Sequence, residues 1–390
     1  MLIPQSVEPT ARAPYRDGAD VQAHHLALSL TDMGHRVDVY THRSRAGGSR
    51  RVAVNPRLAV SSLAAGPPTM LDDCEHGWHP GEFTSALAEA WRDPAPDVVH
   101  AHSWLCGLTA LLAVRQRRPL PIVQTFHEND GNGSAPGSRV EMTKLVSHAR
   151  IERAVARNSQ AVVVTSETEL ARLARLGVAR RRIAMIPCGA VTQVTDDTPT
   201  SKPPGRLRLV VLDPLGRSRG VDDVVTALRG VPHTELVLAG GPCSADRVDE
   251  REVCRIRELA HRLGVGDRVR LLGGIPSCQL PTLLAGADAV VSVPWANATG
   301  QVALDAMACG LPVVCTRVGG LADIVVDGIT GVCVPPRRPD LLSRALRGFL
   351  AAPDRRVALA IAGRDRVLSR YGWARIGAET VRLYERLLGR

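Results

Sequence analysis

Residues 294–320 read PWANATGQVALDAMACGLPVVCTRVGG, and this stretch decides how the chain is expected to fold. A polar loop around Asn297 runs into a segment whose apolar residues recur at roughly helical spacing from Gly300 onward. The sequence Gly-Leu-Pro at 310–312 stops that pattern, so we predict a short helix. A short apolar strand from Pro312 to Cys315 is expected to follow it. The stretch therefore predicts a loop, a helix and a strand in direct succession.

The start of this predicted helix is a candidate site for a diphosphate group. The first N–H groups of a helix have no partner inside the helix, and the dipole of the helix is positive at this end. Gly300 has no side chain, so the backbone can come close to a ligand. Asp305 then lies one to two turns inside the helix. The stretch thus predicts a loop that holds an anionic ligand.

Apolar strand-like runs alternate with helical stretches along the whole chain. We predict strands at His35–Tyr40, Val98–Ala101, Ile122–Phe126, Ala161–Thr165, Leu207–Leu212, Glu235–Ala239, Arg268–Leu272, Ala289–Val293 and Pro312–Cys315. Most of these runs end in Gly, Pro, His or polar residues, as ligand-facing loops do. The alternation predicts an α/β fold with doubly wound parallel sheets and active groups beyond the carboxyl ends of the strands.

Two domains are expected from the length and from one low-complexity segment. A chain of 390 residues with 45% hydrophobic content can bury sizeable cores. Residues 191–206 are rich in Thr, Asp and Pro and read as an interdomain linker. We therefore predict one domain over residues 1–195 and a second over residues 206–371. Residues 372–390 carry an apolar stripe at helical spacing and predict a terminal helix.

Composition excludes several classes of protein. The formal net charge is +10, but only Lys144 and Lys202 are lysines and the arginines are scattered, so nucleic acid is not expected as a partner. Nine cysteines without a Cys-x-x-Cys pair indicate neither a zinc site nor a disulfide framework. The chain begins without a signal-like segment and contains no apolar run of bilayer-spanning length. We expect a soluble cytoplasmic protein without stable membrane insertion.

Residues 294–320 resemble the retaining glycosyltransferases of family 4, which have the GT-B fold. That family usually carries two glutamates separated by seven residues, as Glu-Pro-Phe-Gly and a Leu-Glu-Ala-Met-Ala-x-Gly helix before a Pro-Val-Val strand. The helix and strand of this motif match here nearly letter for letter, whereas Asn297 and Asp305 replace the two glutamates. The resemblance covers nearly the whole chain and is strongest over residues 209–336. It implies two Rossmann-like domains that face a cleft, with the terminal helix crossing back to the first domain.

The resemblance also implies a donor site, formed mainly by the C-terminal domain. Its expected residues are Gly18, Arg217, Arg219, Gly241, Gly274, Asn297, Thr299, Gly300, Gln301 and Asp305. Arg219 stands where the family has a diphosphate-binding lysine, and Pro214 stands where it has an arginine, so Arg217 is a candidate for the missing cation. Asp305 is expected to bind the ribose of the nucleotide. The alternative interpretation makes both arginines solvated loop residues and Asp305 an exposed carboxylate on a helix surface.

Catalytic and acceptor residues follow from the same resemblance. His127, Asn297 and Arg219 are the expected catalytic residues, because the family has a histidine near the donor sugar and a glutamate that contacts the sugar hydroxyls. The expected acceptor residues are His102, His127, Glu128 and Arg150. A buried structural role remains the alternative for His127, and a solvated pair on a helix for Arg150 with Glu152. Metal binding by His100 and His102 is disfavoured, because two ligands do not make a site.

The expected activity is transfer of a sugar, with retention, from a nucleoside diphosphate sugar to a small acceptor. UDP and GDP donors both fit, and a cyclitol, an aminocyclitol or a thiol fits as acceptor, in actinobacterial thiol or antibiotic metabolism. No cofactor and no metal are expected, since the chain lacks Gly-x-Gly-x-x-Gly, a Walker loop and an Asp-x-Asp motif. A homodimer is left open. A sugar-nucleotide epimerase is disfavoured by the helix pattern.

A non-catalytic protein that keeps the fold to bind a nucleotide sugar or a partner protein is the rival interpretation. Four family positions are altered together, which is what this rival predicts. They are the glycine lost beside Gly18, Pro214, Asn297 and Asp305.

Overall fold

The computed structural model describes residues 1–3, 19–42, 50–65, 79–115, 119–127, 139–190, 205–240, 247–296 and 299–390. These residues form two compact units. The first unit contains residues 1–3, the described residues between 19 and 188, and Trp373–Arg390; the second contains the described residues between 189 and 372. The two units belong to one chain that enters the second unit after Cys188 and returns to the first at Trp373.

The first unit is built on an eight-stranded sheet. Its strands are β1 (Leu2–Ile3), β2 (Val37–His42), β3 (Arg50–Asn55), β4 (Leu58–Leu63), β5 (Val99–Ala101), β6 (Ile122–Thr125), β7 (Ala161–Val164) and β8 (Ile183–Met185). The strand order is β3-β4-β2-β1-β5-β6-β7-β8, and of these described strands only β3 runs antiparallel to its neighbour. The helices between these strands are α1 (Ala19–Asp32), α2 (Pro80–Ala90), α3 (Trp104–Arg115), α4 (Arg139–Asn158) and α5 (Glu167–Arg175). The order in which the chain adds strands reverses between β1 and β5, which makes this the switch point of the unit.

The second unit is built on a six-stranded parallel sheet. Its strands are β9 (Leu207–Val211), β10 (Thr234–Ala239), β11 (Val269–Gly273), β12 (Ala289–Ser292), β13 (Val313–Thr316) and β14 (Val332–Val334), in the order β11-β10-β9-β12-β13-β14. Its helices are α6 (Val221–Leu228), α7 (Arg247–Arg262), α8 (Leu280–Ala285), α9 (Gln301–Ala308), α10 (Leu321–Ile324), α11 (Pro339–Leu350) and α12 (Pro353–Arg370). The switch point lies between β9 and β12, where a doubly wound sheet binds its ligands.

All nine predicted strands are present, with ends that differ by at most two residues. The structure confirms the predicted α/β class with doubly wound, mainly parallel sheets. Strands β1, β3, β4, β8 and β14 were not predicted from the sequence. Strand β3 is an exposed antiparallel edge strand, and β1, β8 and β14 have only two or three residues, so none of these four presents a long apolar run.

The terminal helix α13 (Trp373–Leu388) packs in the first unit. Three positions of its predicted apolar stripe, Ile376, Thr380 and Leu383, are buried. The hydroxyl of Ser29 on α1 donates to the carbonyl oxygen of Trp373 at 2.8 Å, which fixes the start of the helix.

The chain changes units a few residues before the linker that the sequence predicted. Gly189 and Ala190 already belong to the second unit, because Gln301 donates from Nε2 to the carbonyl oxygen of Gly189 at 3.2 Å. The backbone N–H of Ala190 donates to the carbonyl oxygen of Tyr371 at 2.9 Å. Residues 191–204 lie outside the described part of the chain.

A search of the described helices for a segment both long enough and apolar enough to cross a membrane finds none.

Candidate active site

The loops that follow β9 and β12 are joined to each other at the switch point of the second unit. Ser292, at the end of β12, donates from Oγ to Oδ2 of the buried Asp213 at 3.0 Å. The backbone N–H of Trp295 donates to the carbonyl oxygen of Ser218 at 2.9 Å. The two loops therefore hold one fixed arrangement at the edge of the sheet where a ligand is expected.

Gly220 allows these loops to lie this close. Its φ is +73°, and a Cβ atom built on it would be 2.0 Å from the carbonyl oxygen of Val293. A side chain at this position would push the loop after β12 away from the loop after β9. Gly220 also precedes α6, so the same residue sets where that helix begins.

The indole of Trp295 fastens the loop after β12 at a second point. Its Nε1 donates to Oδ2 of Asp223 on α6 at 2.8 Å, and the guanidinium carbon of Arg337 lies 4.3 Å from the centroid of its ring. Burial raises the pKa of the Asp223 carboxyl, and the bond from Trp295 opposes that rise. This group was not predicted from the sequence, although a tryptophan inside a polar loop was a signal that could have found it.

The N-terminus of α9 is a candidate anion site. The helix begins at Gln301 after Gly300, which has a φ of +82° and no side chain that could cap the helix. The backbone N–H of Gln301 donates to Oγ1 of Thr299 at 3.4 Å, a long and therefore weak hydrogen bond that a ligand can replace. Phosphate oxygens can therefore accept hydrogen bonds from the first turn of α9.

Close packing of Gly300 fixes the direction from which the chain enters α9. A Cβ atom at this position would lie 2.3 Å from Cδ1 of Ile324 and 3.3 Å from the carbonyl carbon of Gly320. Every residue of α9 from Gln301 to Ala308 is buried, so the helix cannot move without disturbing the core of its unit. The predicted helix is present, and it is buried on all sides rather than on one face.

Asp305 is buried, so its interpretation as an exposed carboxylate on a helix surface is wrong. It is 2% exposed, and its Oδ1 accepts a bond of 2.8 Å from Nε2 of Gln301, one turn earlier on α9. Gln301 thereby fixes the orientation of the carboxylate. Burial, followed by the nearby Asp305 charge, raises the pKa of the Cys309 thiol to about 11. A buried carboxylate held by an amide is suited to bind hydroxyl groups.

The two arginines after β9 differ in their surroundings. Both lie in a short 3-10 helix, Arg217–Arg219. Arg217 is exposed, whereas Arg219 is partly buried and its Nη1 lies 4.0 Å from Oδ1 of Asp213. At that distance the pair is loose, so the planar guanidinium of Arg219 can still donate to a phosphate. The geometry therefore favours Arg219 over Arg217 as the cation of this site.

Two of the histidines predicted for the first unit are in contact. His102 directly follows β5 and His127 lies two residues after β6, so neighbouring parallel strands bring them to the same edge of the sheet. Nδ1 of His102 lies 3.0 Å from Nε2 of His127, and the planes of the two rings differ by 17° with centroids 5.3 Å apart. The backbone N–H of His102 donates to the carbonyl oxygen of Leu2 on β1 at 3.0 Å, which places the pair beside the switch point.

A third histidine supports this pair from inside the sheet. Nδ1 of His100 lies 2.6 Å from the hydroxyl of Tyr384 on α13, and its Nε2 lies 2.7 Å from Oγ1 of Thr125. The ring of His100 packs 4.2 Å from that of His102, centroid to centroid. Both ring nitrogens of His100 are thus used by the protein itself, and His100 has a structural role.

All three imidazoles are neutral near neutral pH. Burial lowers the pKa of His127 to about 4 and that of His100 to about 3. Burial, together with the neighbouring His100 and His127, holds the pKa of His102 well below its usual range. Neutral rings exchange hydrogen bonds through one donor and one acceptor nitrogen each, so this group can orient a hydroxyl but carries no positive charge.

Because the pKa values of these histidines are lowered in the native state, we predict that acid destabilises the fold. Burial and the adjacent His24 also lower the pKa of His25, to about 4. Between about pH 6.5 and pH 4 these histidines are protonated in the unfolded chain but remain neutral in the native chain. The free energy of unfolding therefore decreases as the pH falls through this window. Each such histidine contributes a slope of about 1.4 kcal/mol per pH unit. Urea unfolding between neutral pH and about pH 5 measures the slope.

The His127→Gln variant is the control for this prediction. It removes one titrating ring and is expected to lower the slope by the contribution of one histidine, about 1.4 kcal/mol per pH unit. A free energy of unfolding that does not change across the window would contradict the prediction.

Arg150 and Glu152 do not form the solvated pair that the sequence allowed. Arg150 is exposed on α4, whereas Glu152 is buried and accepts a bond of 2.5 Å from Nη1 of Arg172 on α5. The reason is that the two residues are two positions apart on a helix and therefore point to different sides of it. Gly274 lies in the loop after β11, as expected. Gly18, Glu128, Gly241 and Asn297 lie outside the described residues.

Comparisons with known proteins assign the chain to a family. Residues 17–189 match the model of a glycosyl transferase 4-like domain, and residues 195–366 match the model of glycosyl transferases group 1. A D-inositol 3-phosphate glycosyltransferase from Xylanimonas cellulosilytica is 32% identical over 385 residues, which cover 94% of this chain and 91% of the relative. A protein of the same name from Acidothermus cellulolyticus is 32% identical over 373 residues, covering 88% of this chain and 80% of the relative.

Solved structures agree with this assignment. The sucrose-phosphate synthase of Thermosynechococcus elongatus superposes with a TM-score of 0.87 at 26% sequence identity, covering 100% of this chain and 99% of that one. The match extends over both units, each of which corresponds to a Rossmann-like domain. The chain is therefore a glycosyltransferase with the GT-B fold and belongs to the group 1 family.

Proposed function

We propose that this glycosyltransferase moves a sugar, with retention, from a nucleoside diphosphate sugar to a phosphorylated or free cyclitol. One observation carries the donor half of the proposal: α9 begins directly after a closely packed Gly300, which brings no side chain to cap it, at the edge of the sheet where ligands bind. The names of the similar D-inositol 3-phosphate glycosyltransferases support the acceptor half. Aminocyclitols and small thiols remain acceptors to be tested.

The second unit supplies the groups that a nucleoside diphosphate needs. The start of α9 offers N–H groups and a partial charge of about half a unit, and Arg219 adds a full charge beside the loop after β9. Both stabilise the negative charge that grows on the departing diphosphate, so they lower the barrier more than they strengthen ground-state binding. The orientation that Gln301 gives to Asp305 supports a role for this carboxylate in binding the ribose hydroxyls.

The first unit supplies neutral hydrogen-bonding groups for the acceptor and the reacting sugar. His102 and His127 lie beside the switch point of their sheet, and both are uncharged near neutral pH. A neutral ring can orient a hydroxyl by donating or accepting a hydrogen bond. We propose a front-face displacement in which the acceptor hydroxyl attacks as the diphosphate leaves, with its proton passing to a departing phosphate oxygen.

Release of the nucleoside diphosphate tests the function. The protein is incubated with UDP and GDP sugars, each with D-inositol 3-phosphate, inositol, an aminocyclitol or a small thiol. We expect release that depends on one acceptor class, and a product whose anomeric configuration, read by NMR, equals that of the donor. Donor binding without turnover across the whole panel would instead support the non-catalytic rival, and inversion would contradict the retaining mechanism.

Replacement of Arg219 tests the donor site. We expect Arg219→Gln to lower kcat/KM for the donor by about 100-fold, because one charged donor to the leaving phosphate is lost. Arg219→Lys keeps the charge but not the planar fork, so its kcat/KM is expected to lie between those of the parent and of Arg219→Gln. Arg229→Gln, on an exposed arginine at the end of α6, is the control and should leave kcat/KM unchanged. An Arg219→Gln variant with the activity of the parent would exclude this role.

A further inference from the structure

We propose that His102 is a positioning residue that holds His127 in the tautomer with its proton on Nδ1, so that His127 offers an N–H donor to the ligand. The consequence for sugar transfer rests on the proposed function, whereas the tautomer itself does not. The inference starts from the contact of 3.0 Å between Nδ1 of His102 and Nε2 of His127.

The contact between the two rings needs one proton. Because both imidazoles are neutral near neutral pH, each ring carries a single N–H. Either His102 donates from Nδ1 to Nε2 of His127, or His127 donates from Nε2 to Nδ1 of His102. The first arrangement leaves Nε2 of His102 without a proton, and the second places a proton on it. The surroundings of that atom therefore decide which tautomer is stable.

Nε2 of His102 is buried and has no hydrogen-bond partner among the described residues. His102 is only 2% exposed. A buried N–H group without an acceptor is rarer and less favourable in proteins than a buried acceptor without a donor. The arrangement in which His102 donates from Nδ1 is therefore the more stable one, and it leaves the proton of His127 on Nδ1.

His100 cannot take over the proton of His102. Its two nitrogens are engaged by Tyr384 and Thr125, and its ring meets the ring of His102 at a tilt of 31°. The ring of His100 instead closes one side of the ring of His102 and limits its rotation. His102 is thereby fixed both by packing and by its backbone bond to Leu2.

The proposed tautomer determines what His127 can do. The nitrogen that faces away from His102 is Nδ1, on the edge of a ring that belongs to a partly exposed residue. With the proton there, His127 donates to a sugar hydroxyl or to a phosphate oxygen. A free histidine side chain prefers the opposite tautomer, with the proton on Nε2. His102 would thus reverse the intrinsic preference of His127.

Nitrogen NMR of the ligand-free protein tests the tautomer directly. The full chain is labelled with ¹⁵N in its histidine rings, and the signals of His127 are identified by their loss in His127→Gln. We expect a protonated Nδ1 and an unprotonated Nε2 for His127 at a pH above neutrality. A protonated Nε2 on His127 in the parent protein would overturn the proposal, whether or not any variant folds.

Two variants separate positioning from packing. His102→Asn places an amide N–H near the position of Nδ1 and is expected to keep the proton of His127 on Nδ1. His102→Leu has similar volume but no donor and is expected to shift His127 to the Nε2 tautomer. If His127 keeps its tautomer in a folded His102→Leu variant, His102 does not position it.

Activity provides the second readout. We expect His102→Leu to lower kcat about tenfold, the effect of one neutral hydrogen bond, with little change in the Kd for the nucleoside diphosphate. His102→Asn should restore most of the kcat. Equal losses in both variants would indicate a packing role and overturn the positioning role. If the parent transfers no sugar, the proposed function fails, while the spectrum of the ligand-free protein still decides the tautomer.

Discussion

Replacing Gly300 by alanine is expected to reduce affinity for the nucleoside diphosphate by about 100-fold while the protein remains folded. At a φ of +82° an L-residue is strained by about 1–2 kcal/mol. The new Cβ would also overlap with Cδ1 of Ile324, at 2.3 Å. Rotation of the Ile324 side chain relieves part of this overlap, but the Cβ would also lie 3.3 Å from the backbone at Gly320 and Leu321, so the backbone at Gly300 shifts as well. A shift of about 1 Å is enough to misplace the N–H groups that hold the phosphates.

Calorimetric titration with the nucleoside diphosphate measures this effect. Gly264→Ala is the matched control, because Gly264 has a φ of +67°, a Cβ atom there would have nothing within 4 Å, and the residue lies outside the site. It should lose about 1 kcal/mol of stability and no affinity. Adding Ile324→Val to Gly300→Ala removes the overlapping methyl group and should recover part of the affinity. Unchanged binding by Gly300→Ala would show that the close approach at Gly300 is unimportant.

Replacing Glu235 by glutamine is expected to lower the free energy of unfolding by about 3–5 kcal/mol. Glu235 on β10 and Arg208 on β9 are 2% and 1% exposed, and Nε of Arg208 donates to Oε1 of Glu235 at 2.5 Å. Removing one charge of the pair leaves the other buried without compensation, which is far less favourable than the intact pair. Chemical denaturation measures the loss.

The double variant Arg208→Leu with Glu235→Leu distinguishes a buried charge from a packing defect. Because both charges disappear together, its stability is expected to return close to that of the parent. The backbone N–H of Arg208 donates to Oδ2 of Asp288 at 2.7 Å and can do so with leucine at this position. Arg338→Gln is the control, since Arg338 pairs with Asp340 on the surface, where solvent screens the pair, and its stability should stay close to that of the parent. A Glu235→Gln variant as stable as the parent would contradict the expectation.

Much of the fold could be predicted because it depends on local patterns. Buried parallel strands appear as apolar runs, and all nine runs of this kind are strands in the structure. The glycine before α9 and the Gly-Leu-Pro sequence after it marked the helix correctly. The edge strand β3 was not predicted, because an exposed antiparallel strand with arginines lacks an apolar run.

The candidate site could be predicted only in part. The resemblance to the family predicted His102, His127 and Arg219, and in the structure each of them follows a strand of a parallel sheet, where ligand sites are expected. The link between Trp295, Asp223 and Arg337 was not found, because these residues are far apart in sequence and meet only through the order of strands. Burial of Asp305 was also beyond the sequence, since an acidic residue on a helix usually faces water.

The sequence by itself determined the α/β class, the alternation of strands and helices, and the loop and helix at residues 299–308, because these depend on periodicity and on the backbone properties of glycine and proline. Only the tertiary structure decided which nitrogen of His102 meets His127, which arginine lies near Asp213, and that Arg208 is paired with Glu235 inside the sheet. Hydrogen bonds and charges act over a few ångströms, so their partners are set by strand order and packing rather than by neighbours along the chain.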